Sequence, residues 1–314
     1  MTEYTVIGLR VEHTGPLALL QDAGRFGVRR LGVTQGGPAD LHGWGWANWL
    51  VGNPWGAAAL EVTLGGLGLV AERDLCLALG GADLGASLDG EPVAPWTAFR
   101  MREGQRLAFA TPVAGLRAYL AVAGGFAAEP VLGSVATVVR EGLGGLDGRG
   151  GKLAAGDRLA VVAEACHREA GRRLPEEERR DYREPARLTL LPGAQVAAFD
   201  GRSLFQAFHA EWRVDDRADR MGVRLLGPRL RCRIETLISE GIGLGAVQVP
   251  ADGQPIALLN DRQTIGGYPR LGALTPLAAS RLAQCLPGQA VRLAPTTAER
   301  ALDAYRRLRI ALGA

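Results

Sequence analysis

Short apolar runs separated by glycine turns dominate the hydrophobic pattern of this chain. Residues 75–79 come before Gly80-Gly81, and residues 247–250 come before the turn Asp252-Gly253, which residues 256–259 follow. Apolar runs of this length, bounded by turn residues, are typical of β-strands. The spacing therefore predicts a mainly β chain, folded as a sandwich or barrel rather than as alternating β-α units.

Three segments carry the residues that begin and end helices. Asp40 can cap a helix that Asn53-Pro54 would end. Thr275-Pro276 supplies a cap and a first-turn proline for a second helix. Thr296 and Glu299 form a capping-box pattern ahead of a terminal amphipathic helix. The sequence thus predicts only a few helices.

A highly charged stretch divides the chain. Between Glu164 and Arg187 the composition changes to Glu, Arg and Pro, so this stretch cannot bury much apolar surface. It is typical of an interdomain linker or an exposed helix. We predict a first domain over residues 1–165, a linker over 166–186, and a second domain over 187–314 that carries the terminal helix.

Three sequence echoes, in the same order, suggest that the two halves are related. Residues 25–32 recur as residues 220–227 with six of eight positions identical, starting at Arg25 and Arg220. Asp89-Gly90 is echoed by Asp252-Gly253, and Gly104-Gln105 is echoed by Gly288-Gln289. Chance reuse of turn dipeptides explains the two short echoes equally well, whereas the eight-residue match favours duplication of one β unit. Two related barrels would create a cleft at their junction, where a site is expected.

Composition and charge exclude several classes of protein. The 314 residues are 47% apolar and carry a formal charge of only +3, so we expect no nucleic-acid partner and no membrane. The four cysteines lack close spacing and the N-terminus lacks a signal-peptide pattern, so we expect a reduced, cytoplasmic protein. The four histidines show no metal-binding spacing. Lys152 has no flanking methionines, so we expect no covalently attached biotin.

Polar groups in the N-terminal third flank glycine turns, where backbone N–H groups can approach a ligand closely. Asp22 and Arg25 surround Gly24, and Asp40 follows Gly36-Gly37. They are candidate catalytic groups, although a structural Asp–Arg pair would explain the first two. Glu61 lies in a strand-like apolar run, where a carboxylate is costly unless it is paired. It is a candidate general base or acceptor for a substrate N–H, and an ion pair with an arginine is the alternative.

Residues 239–269 form the segment richest in polar groups. An extended backbone would place Asp261 and Gln263 on one side and Arg262 on the other. These groups could recognise a small molecule that carries both a carboxylate and an amide, and a turned loop with a satisfied polar network is the alternative. The candidate substrate-binding residues are Gln248, Arg262, Gln263, Thr264, Gly266, Gly267 and Tyr268.

Taken together, these motifs resemble the family of the 5-oxoprolinase C subunit, also described as allophanate hydrolase subunit 2 or biotin-dependent carboxyltransferase. The resemblance runs from Val11 to Leu293. Small departures at Ile265, Leu244 and Pro38-Ala39 affect only fine substrate contacts. The motifs that carry it are Gln21-Asp22-x-Gly24-Arg25, Gly36-Gly37-x-x-Asp40, Asn48-x-Leu50-Val51-Gly52-Asn53-Pro54, Glu61-x-Thr63-Leu64-Gly65-Gly66, Ala121-Val122-Ala123-Gly124-Gly125, Asp219-Arg220-Met221-Gly222 and residues 239–269.

The resemblance implies a fold, an activity and partners. It implies two cyclophilin-like β-barrel domains and a heteromeric complex with the B and A subunits of 5-oxoprolinase. That complex would convert 5-oxoproline to L-glutamate with ATP and Mg²⁺. The alternatives are the carboxyltransferase part of a biotin-dependent urea or amide carboxylase, and a regulatory partner of a kinase inhibitor. The residues to which we assign catalytic roles as hypotheses are Asp22, Arg25, Asp40, Glu61, Arg220 and Asp261.

Overall fold

The computed structural model describes residues 5–162, 170–234 and 237–314. The described chain divides into two compact units, which are interleaved in sequence. The first unit contains residues up to 26, residues 36–181 and residues 311–314, and the second contains residues 27–35 and 182–310. Cys166 and His167, at the start of the predicted linker, lie outside the described residues.

In its described residues, the first unit contains two antiparallel sheets and one α-helix. These elements are β1 (Thr5–His13), β2 (Leu17–Gln21), α1 (Leu41–Leu50), β3 (Ala59–Thr63), β4 (Gly68–Ala71), β5 (Leu75–Asp83), β6 (Ser87–Leu88), β7 (Glu91–Pro92), β8 (Thr97–Met101), β9 (Arg106–Ala108), β10 (Ala114–Val122), β11 (Phe126–Ala127) and β12 (Arg158–Val162). One sheet has the order β11-β12-β1-β4-β9-β6-β7 and the other β2-β3-β10-β5-β8, and leucines and valines from both sheets form one core.

The second unit contains a closed seven-stranded barrel and a separate two-stranded ribbon. Its elements are β13 (Ala186–Pro192), α2 (Gly201–His209), β14 (Trp212–Val214), β15 (Gly222–Leu226), β16 (Glu240–Gly241), β17 (Ala246–Gln248), β18 (Ile256–Leu258), β19 (Ile265–Gly266), β20 (Arg270–Leu274), α3 (Pro276–Leu282), β21 (Ala290–Pro295) and α4 (Ala298–Ala311). The strands of the barrel follow the order β13-β20-β17-β18-β15-β14-β21, and β16 pairs with β19 in the ribbon. This architecture confirms the predicted mainly β fold.

The two glycines of β5, Gly80 and Gly81, allow α1 to pack closely against the strand and do not form a turn. A Cβ on Gly80 would lie 2.3 Å from the backbone oxygen of Gly43, and one on Gly43 would lie 2.8 Å from the Cα of Gly81. The glycines therefore let the helix backbone approach the sheet, as close-approach glycines in strands do. The prediction that the strand ends before Gly80-Gly81 is wrong, because β5 continues to Asp83.

The structure contains the three predicted helices, although a different residue caps the last of them. It also contains one further helix among the described residues. The Asp40 side chain accepts hydrogen bonds from His42 and Gly43 N–H at the start of α1, and Thr275 accepts one from Ala278 N–H at the start of α3. At α4 the side chain that accepts from the Arg300 N–H, at 3.4 Å, is Thr297 and not Thr296. Helix α2, which Asp200 caps, was not predicted.

Part of the predicted linker packs instead of remaining exposed. Residues 171–174 run beside β8, where Gly171 N–H donates to Ala98 O at 2.8 Å and Leu174 N–H donates to Trp96 O at 3.0 Å. The side chain of Leu174 is fully buried. Leu174 is thus an exception to the expectation that this stretch buries little apolar surface, because its side chain covers the edge of the sheet while most of the described stretch is exposed.

Two of the three sequence echoes have equivalent local structures. The Gln105 side chain accepts from Arg102 N–H at 2.7 Å, and Gln289 accepts from Leu286 N–H at 2.8 Å, each three residues upstream. Asp89-Gly90 and Asp252-Gly253 each lie between two paired strands. The eight-residue echo differs, because residues 29–31 form a 3₁₀ turn whereas residues 222–226 form β15.

Candidate functional site

Asp22 and Arg25 join one loop of the first unit to another. Asp22 accepts from the Gly24 N–H at 2.9 Å and the Ser134 hydroxyl at 2.5 Å through one oxygen, and from Val135 N–H at 2.8 Å through the other. The fully buried Arg25 donates through Nε to Val131 O at 3.0 Å and through Nη2 to Ser134 O at 3.2 Å. The two residues therefore meet at Ser134. Both side chains form hydrogen bonds with backbone or hydroxyl groups of the same unit.

Glu61 and Asp40 belong to a second buried network in the first unit. Glu61 accepts through Oε2 from Ala39 N–H and from the Tyr119 hydroxyl, both at 2.8 Å. The same hydroxyl accepts from Asp40 N–H at 2.7 Å. Arg117 lies at 3.7 Å from the other carboxylate oxygen. The network holds the first turn of α1 against strands β3 and β10.

The chemistry of this network follows from its burial. Burial raises the pKa of the Tyr119 hydroxyl well above its usual value, and the charges of Glu61 and Asp40 raise it further. The hydroxyl is therefore a neutral donor to the Glu61 carboxylate. Tyr119 was not predicted as a site residue, although it lies in an apolar strand where a hydroxyl requires a partner. The geometry indicates that Glu61 positions the Gly36–Asp40 loop, and its catalytic role stays a prediction.

In the second unit, Arg220 and Asp261 form a buried bidentate ion pair. Arg220 donates through Nε to one carboxylate oxygen at 2.9 Å and through Nη2 to the other at 3.0 Å. Asp261 N–H also donates to Arg220 O at 2.9 Å. Bidentate pairs of this geometry are strong and directional. The pair connects the start of β15 to the loop after β18, so it fixes the position of the neighbouring Arg262.

Arg262 and Arg29 bring two guanidinium groups to one backbone carbonyl. The buried Arg262 donates to Ile242 O at 3.3 Å and to Leu259 O at 3.1 Å. Arg29 donates to the same Ile242 oxygen and to Thr264 O at 3.2 Å. Burial lowers the pKa of Arg262 to about 10, with a further contribution from the charge of Arg29. Two like charges in a partly desolvated place favour the binding of an anion.

Buried donors remain open around Ile242. Within the part of the chain that the structure describes, Gln248 Nε2 and Arg29 Nη1 are buried without a hydrogen-bond partner. A Cβ on Gly266 would lie 2.3 Å from Ile242 Cδ1, 2.9 Å from Gln248 Nε2 and 3.5 Å from Gln263 Nε2. A buried amide without a partner is costly, so Gln248 is a candidate for binding a ligand. We call Arg29, Ile242, Gln248, Arg262 and Gly266 the ribbon site.

The other predicted binding residues lie beside the ribbon site. Thr264 contributes its backbone carbonyl to Arg29. A Cβ on Gly267 would lie 2.7 Å from Leu237 O, so only glycine fits this turn without a shift. Tyr268 is half exposed and lines a cavity of about 590 Å³ that also contains Arg229 and Arg231.

The predicted site residues therefore form three groups in the structure, and each group lies within one unit. Asp22 meets Arg25 and Asp40 meets Glu61 in the first unit, while Arg220, Asp261 and the ribbon residues lie together in the second. Arg29 was missed as a site residue, although it belongs to the eight-residue echo. Nothing in its local sequence indicates that it contacts residues more than two hundred positions away.

Comparisons with known proteins support one family. The family described as carboxyltransferase domain, subdomain A and B, matches residues 31–295. The chain is 39% identical over 308 residues to the C subunit of 5-oxoprolinase from Escherichia coli K12, and the match covers 94% of each chain. It is 32% identical to a putative urea carboxylase of Emericella nidulans over 94% of this chain, which corresponds to 25% of that protein.

Solved structures show the same fold. Urea amidolyase of K. lactis superposes with a TM-score of 0.91 at 24% identity, over 98% of this chain and 20% of that one. The protein TTHA0988 superposes with a TM-score of 0.81 at 38% identity, over 92% of this chain and 56% of that one. The chain thus spans only a fifth to about half of these solved proteins. These matches confirm the resemblance seen in the sequence, and the chain belongs to the carboxyltransferase domain family, subdomain A and B.

Proposed function

We propose that this chain is the C subunit of an ATP-dependent 5-oxoprolinase, which opens 5-oxoproline to L-glutamate together with partner subunits. One observation carries the proposal: the match to the C subunit of the Escherichia coli enzyme covers 94% of both chains, so no large segment distinguishes them. That relative is named as a C subunit, which supports the proposal that this chain also works with further subunits. We propose homologues of the B and A subunits as the partners.

The ribbon site offers groups suited to such a substrate. 5-Oxoproline carries a carboxylate and a lactam carbonyl, both of which accept hydrogen bonds. Arg29 Nη1 would donate to the carboxylate, and Gln248 Nε2 would donate to a carbonyl oxygen. Charge-assisted bonds from arginine to a carboxylate are stronger than neutral ones. Both donors lie around Ile242, next to the excess positive charge of Arg29 and Arg262.

The reaction requires activation, because an unstrained lactam is a poor electrophile. In the proposed reaction, ATP transfers its γ-phosphoryl group to the lactam oxygen and ADP leaves. Water then adds to the same carbon, and the C–N bond breaks as the nitrogen takes up a proton, which leaves the acyl phosphate of glutamate. A second water molecule hydrolyses this acyl phosphate and releases phosphate. ATP with Mg²⁺ is a substrate of the complex, and no residue of this chain is assigned to it.

Replacing Gln248 tests this assignment. In the complex reconstituted with its partner subunits, Gln248→Met should lower ATP-dependent glutamate formation by about tenfold or more, which corresponds to about 1.4 kcal/mol. The unfolding free energy of the chain should change by less than about 1 kcal/mol, because the lost Nε2 has no protein partner. Gln206→Met, on α2, is the matched control. Equal turnover in both variants would remove Gln248 from the site.

The similarity to a putative urea carboxylase supports a second candidate, a carboxyltransferase for urea or a related amide. This reaction needs carboxybiotin on a separate carrier. The reconstituted complex should therefore be assayed with 5-oxoproline and with urea, each with and without bicarbonate. Turnover that depends on bicarbonate and is inhibited by avidin would favour the carboxyltransferase. Insensitivity to both would favour 5-oxoprolinase.

A further inference from the structure

A second cleft in the second unit, away from the ribbon residues, has an unusual charge arrangement. It measures about 530 Å³ and lies where β13 and β21 run beside the end of α2. Its apolar lining includes Pro185, Phe208 and Leu293, and its cationic lining includes Arg187 and Arg292. Clefts of this size commonly hold small molecules.

The two arginines face the cleft from directly adjacent positions. β13 and β21 are parallel, and Arg187 is in register with Arg292. Neighbouring strands lie about 4.8 Å apart, and residues in register point to the same face. Like charges directly opposite each other destabilise a sheet. This pair therefore costs stability unless an anion lies between the two guanidinium groups.

The surrounding carboxylates compensate this charge poorly. Glu211 lies 3.8 Å from Arg292, but the same carboxylate also pairs with Arg213 at 3.4 Å. Among the described residues, Arg187 forms no ion pair. His209 also lines the cleft, with its ring stacked on Phe205. The cleft therefore combines net positive charge with an apolar wall.

We propose that this cleft binds a small organic anion with an apolar portion. Arg187 and Arg292 hold its oxyanion, a carboxylate or a phosphate, and the apolar portion lies against Phe208, Leu293 and Pro185. This inference does not depend on the proposed function. Either head group offers the several oxygen acceptors that two guanidinium groups require.

Binding to the full chain tests the proposal. We suggest isothermal titration with ATP and with octanoate, in phosphate-free buffer at low salt, because exposed charges are screened by salt. We expect at least one of them to bind, and Arg187→Gln and Arg292→Gln each to weaken that binding by about tenfold or more. Preference for ATP would identify a phosphate ligand, and preference for octanoate a carboxylate.

Controls separate a built site from general attraction to a basic chain. Arg300→Gln, on the exposed surface of α4, removes the same charge elsewhere and should leave binding unchanged. Without ligand, the Arg187 and Arg292 variants should melt at the same temperature as the parent chain or slightly higher, since repulsion is relieved. No binding of either probe, equal binding in all variants, or equal weakening by Arg300→Gln would each overturn the proposal.

Discussion

At the scale of single residues, buried polar groups separate into those that hold the structure together and those left open. Asp22 and Glu61 accept hydrogen bonds from backbone and hydroxyl groups of the first unit. Gln248 Nε2, in contrast, is buried without a partner among the described residues. Since an open buried donor destabilises the free chain, this amide is a candidate ligand-binding group.

Tyr119 should contribute strongly to stability. Its hydroxyl joins Glu61 to the Asp40 N–H, so Tyr119→Phe leaves two buried groups without their partner. We expect the unfolding free energy to fall by about 1–3 kcal/mol, measured by urea denaturation. Tyr268→Phe, where the side chain is half exposed, is the control and should be nearly neutral. Equal effects of the two changes would contradict the network.

Asp215 should make stability depend on acid pH. The Arg217 guanidinium, which donates to both oxygens at 2.9 and 2.6 Å, holds the pKa of Asp215 well below its usual value. A carboxyl group with a lowered folded pKa stabilises the protein above its unfolded pKa of about 3.9. That stabilisation is lost as pH falls toward the folded pKa.

The Asp215→Asn variant measures this contribution. At pH 6 it should reduce the unfolding free energy by about 1–2 kcal/mol. The difference from the parent chain should shrink as the pH is lowered below about 4. Asp303→Asn, on the exposed surface of α4, should show no such dependence. A difference that stays constant from pH 6 to pH 3 would show that the ion pair does not stabilise the fold.

At the scale of elements, glycine acts in this chain through close packing as well as through turns. Gly43 on α1 faces Gly80 and Gly81 on β5, and Gly266 on β19 faces Ile242 and Gln248. A glycine pair inside an apolar run is equally compatible with a turn and with a strand that another backbone approaches. The position of α1 decides between these two structures for β5.

Replacing Gly80 by alanine tests the packing of α1 on β5. The added Cβ would lie 2.3 Å from Gly43 O, so helix and sheet must separate. We expect a loss of about 1–3 kcal/mol in urea denaturation, as in other overpacked cores. Gly201→Ala is the control, because its Cβ would meet nothing within 4 Å at the first residue of α2. A stable Gly80→Ala variant would show that α1 is not fixed there.

At the scale of the whole molecule, the chain passes between the two units more than once. Residues 27–35 belong to the second unit although residues on both sides of them belong to the first. Through Arg29 this segment reaches the carbonyls of Ile242 and Thr264.

Among the described residues, no helix has both the length and the apolarity needed to cross a membrane.

Removing Arg29 should loosen the ribbon. In Arg29→Leu, the carbonyls of Ile242 and Thr264 lose a charged donor. We expect amide exchange in residues 240–242 and 264–266 to accelerate by about tenfold, which corresponds to about 1.4 kcal/mol. Arg30→Leu should leave exchange unchanged, since Arg30 is exposed and, among the described residues, its side chain donates only to the nearby Gly27 O. Unchanged exchange in the Arg29 variant would mean that the ribbon is held without it.

Local patterns in the sequence were sufficient for the features that depend on neighbouring residues. The mainly β class, the caps at Asp40 and Thr275 and the turn at Asp252-Gly253 were all predicted. The family resemblance was also visible, because its motifs are continuous segments. Two predictions of detail were wrong. The strand was predicted to end before Gly80, but close packing of α1 allows it to continue. The helix cap was predicted at Thr296, but it lies one residue later, at Thr297.

Only the tertiary structure decided which polar groups are already paired. Asp261 and Gln248 are both polar residues in one segment, yet Asp261 is held by Arg220 while the Nε2 of Gln248 lacks a partner among the described residues. Arg29 reaches this place from the other end of the chain. A sequence shows which chemical groups are present, but burial and pairing depend on contacts between distant residues, and these determine which groups remain able to bind a ligand.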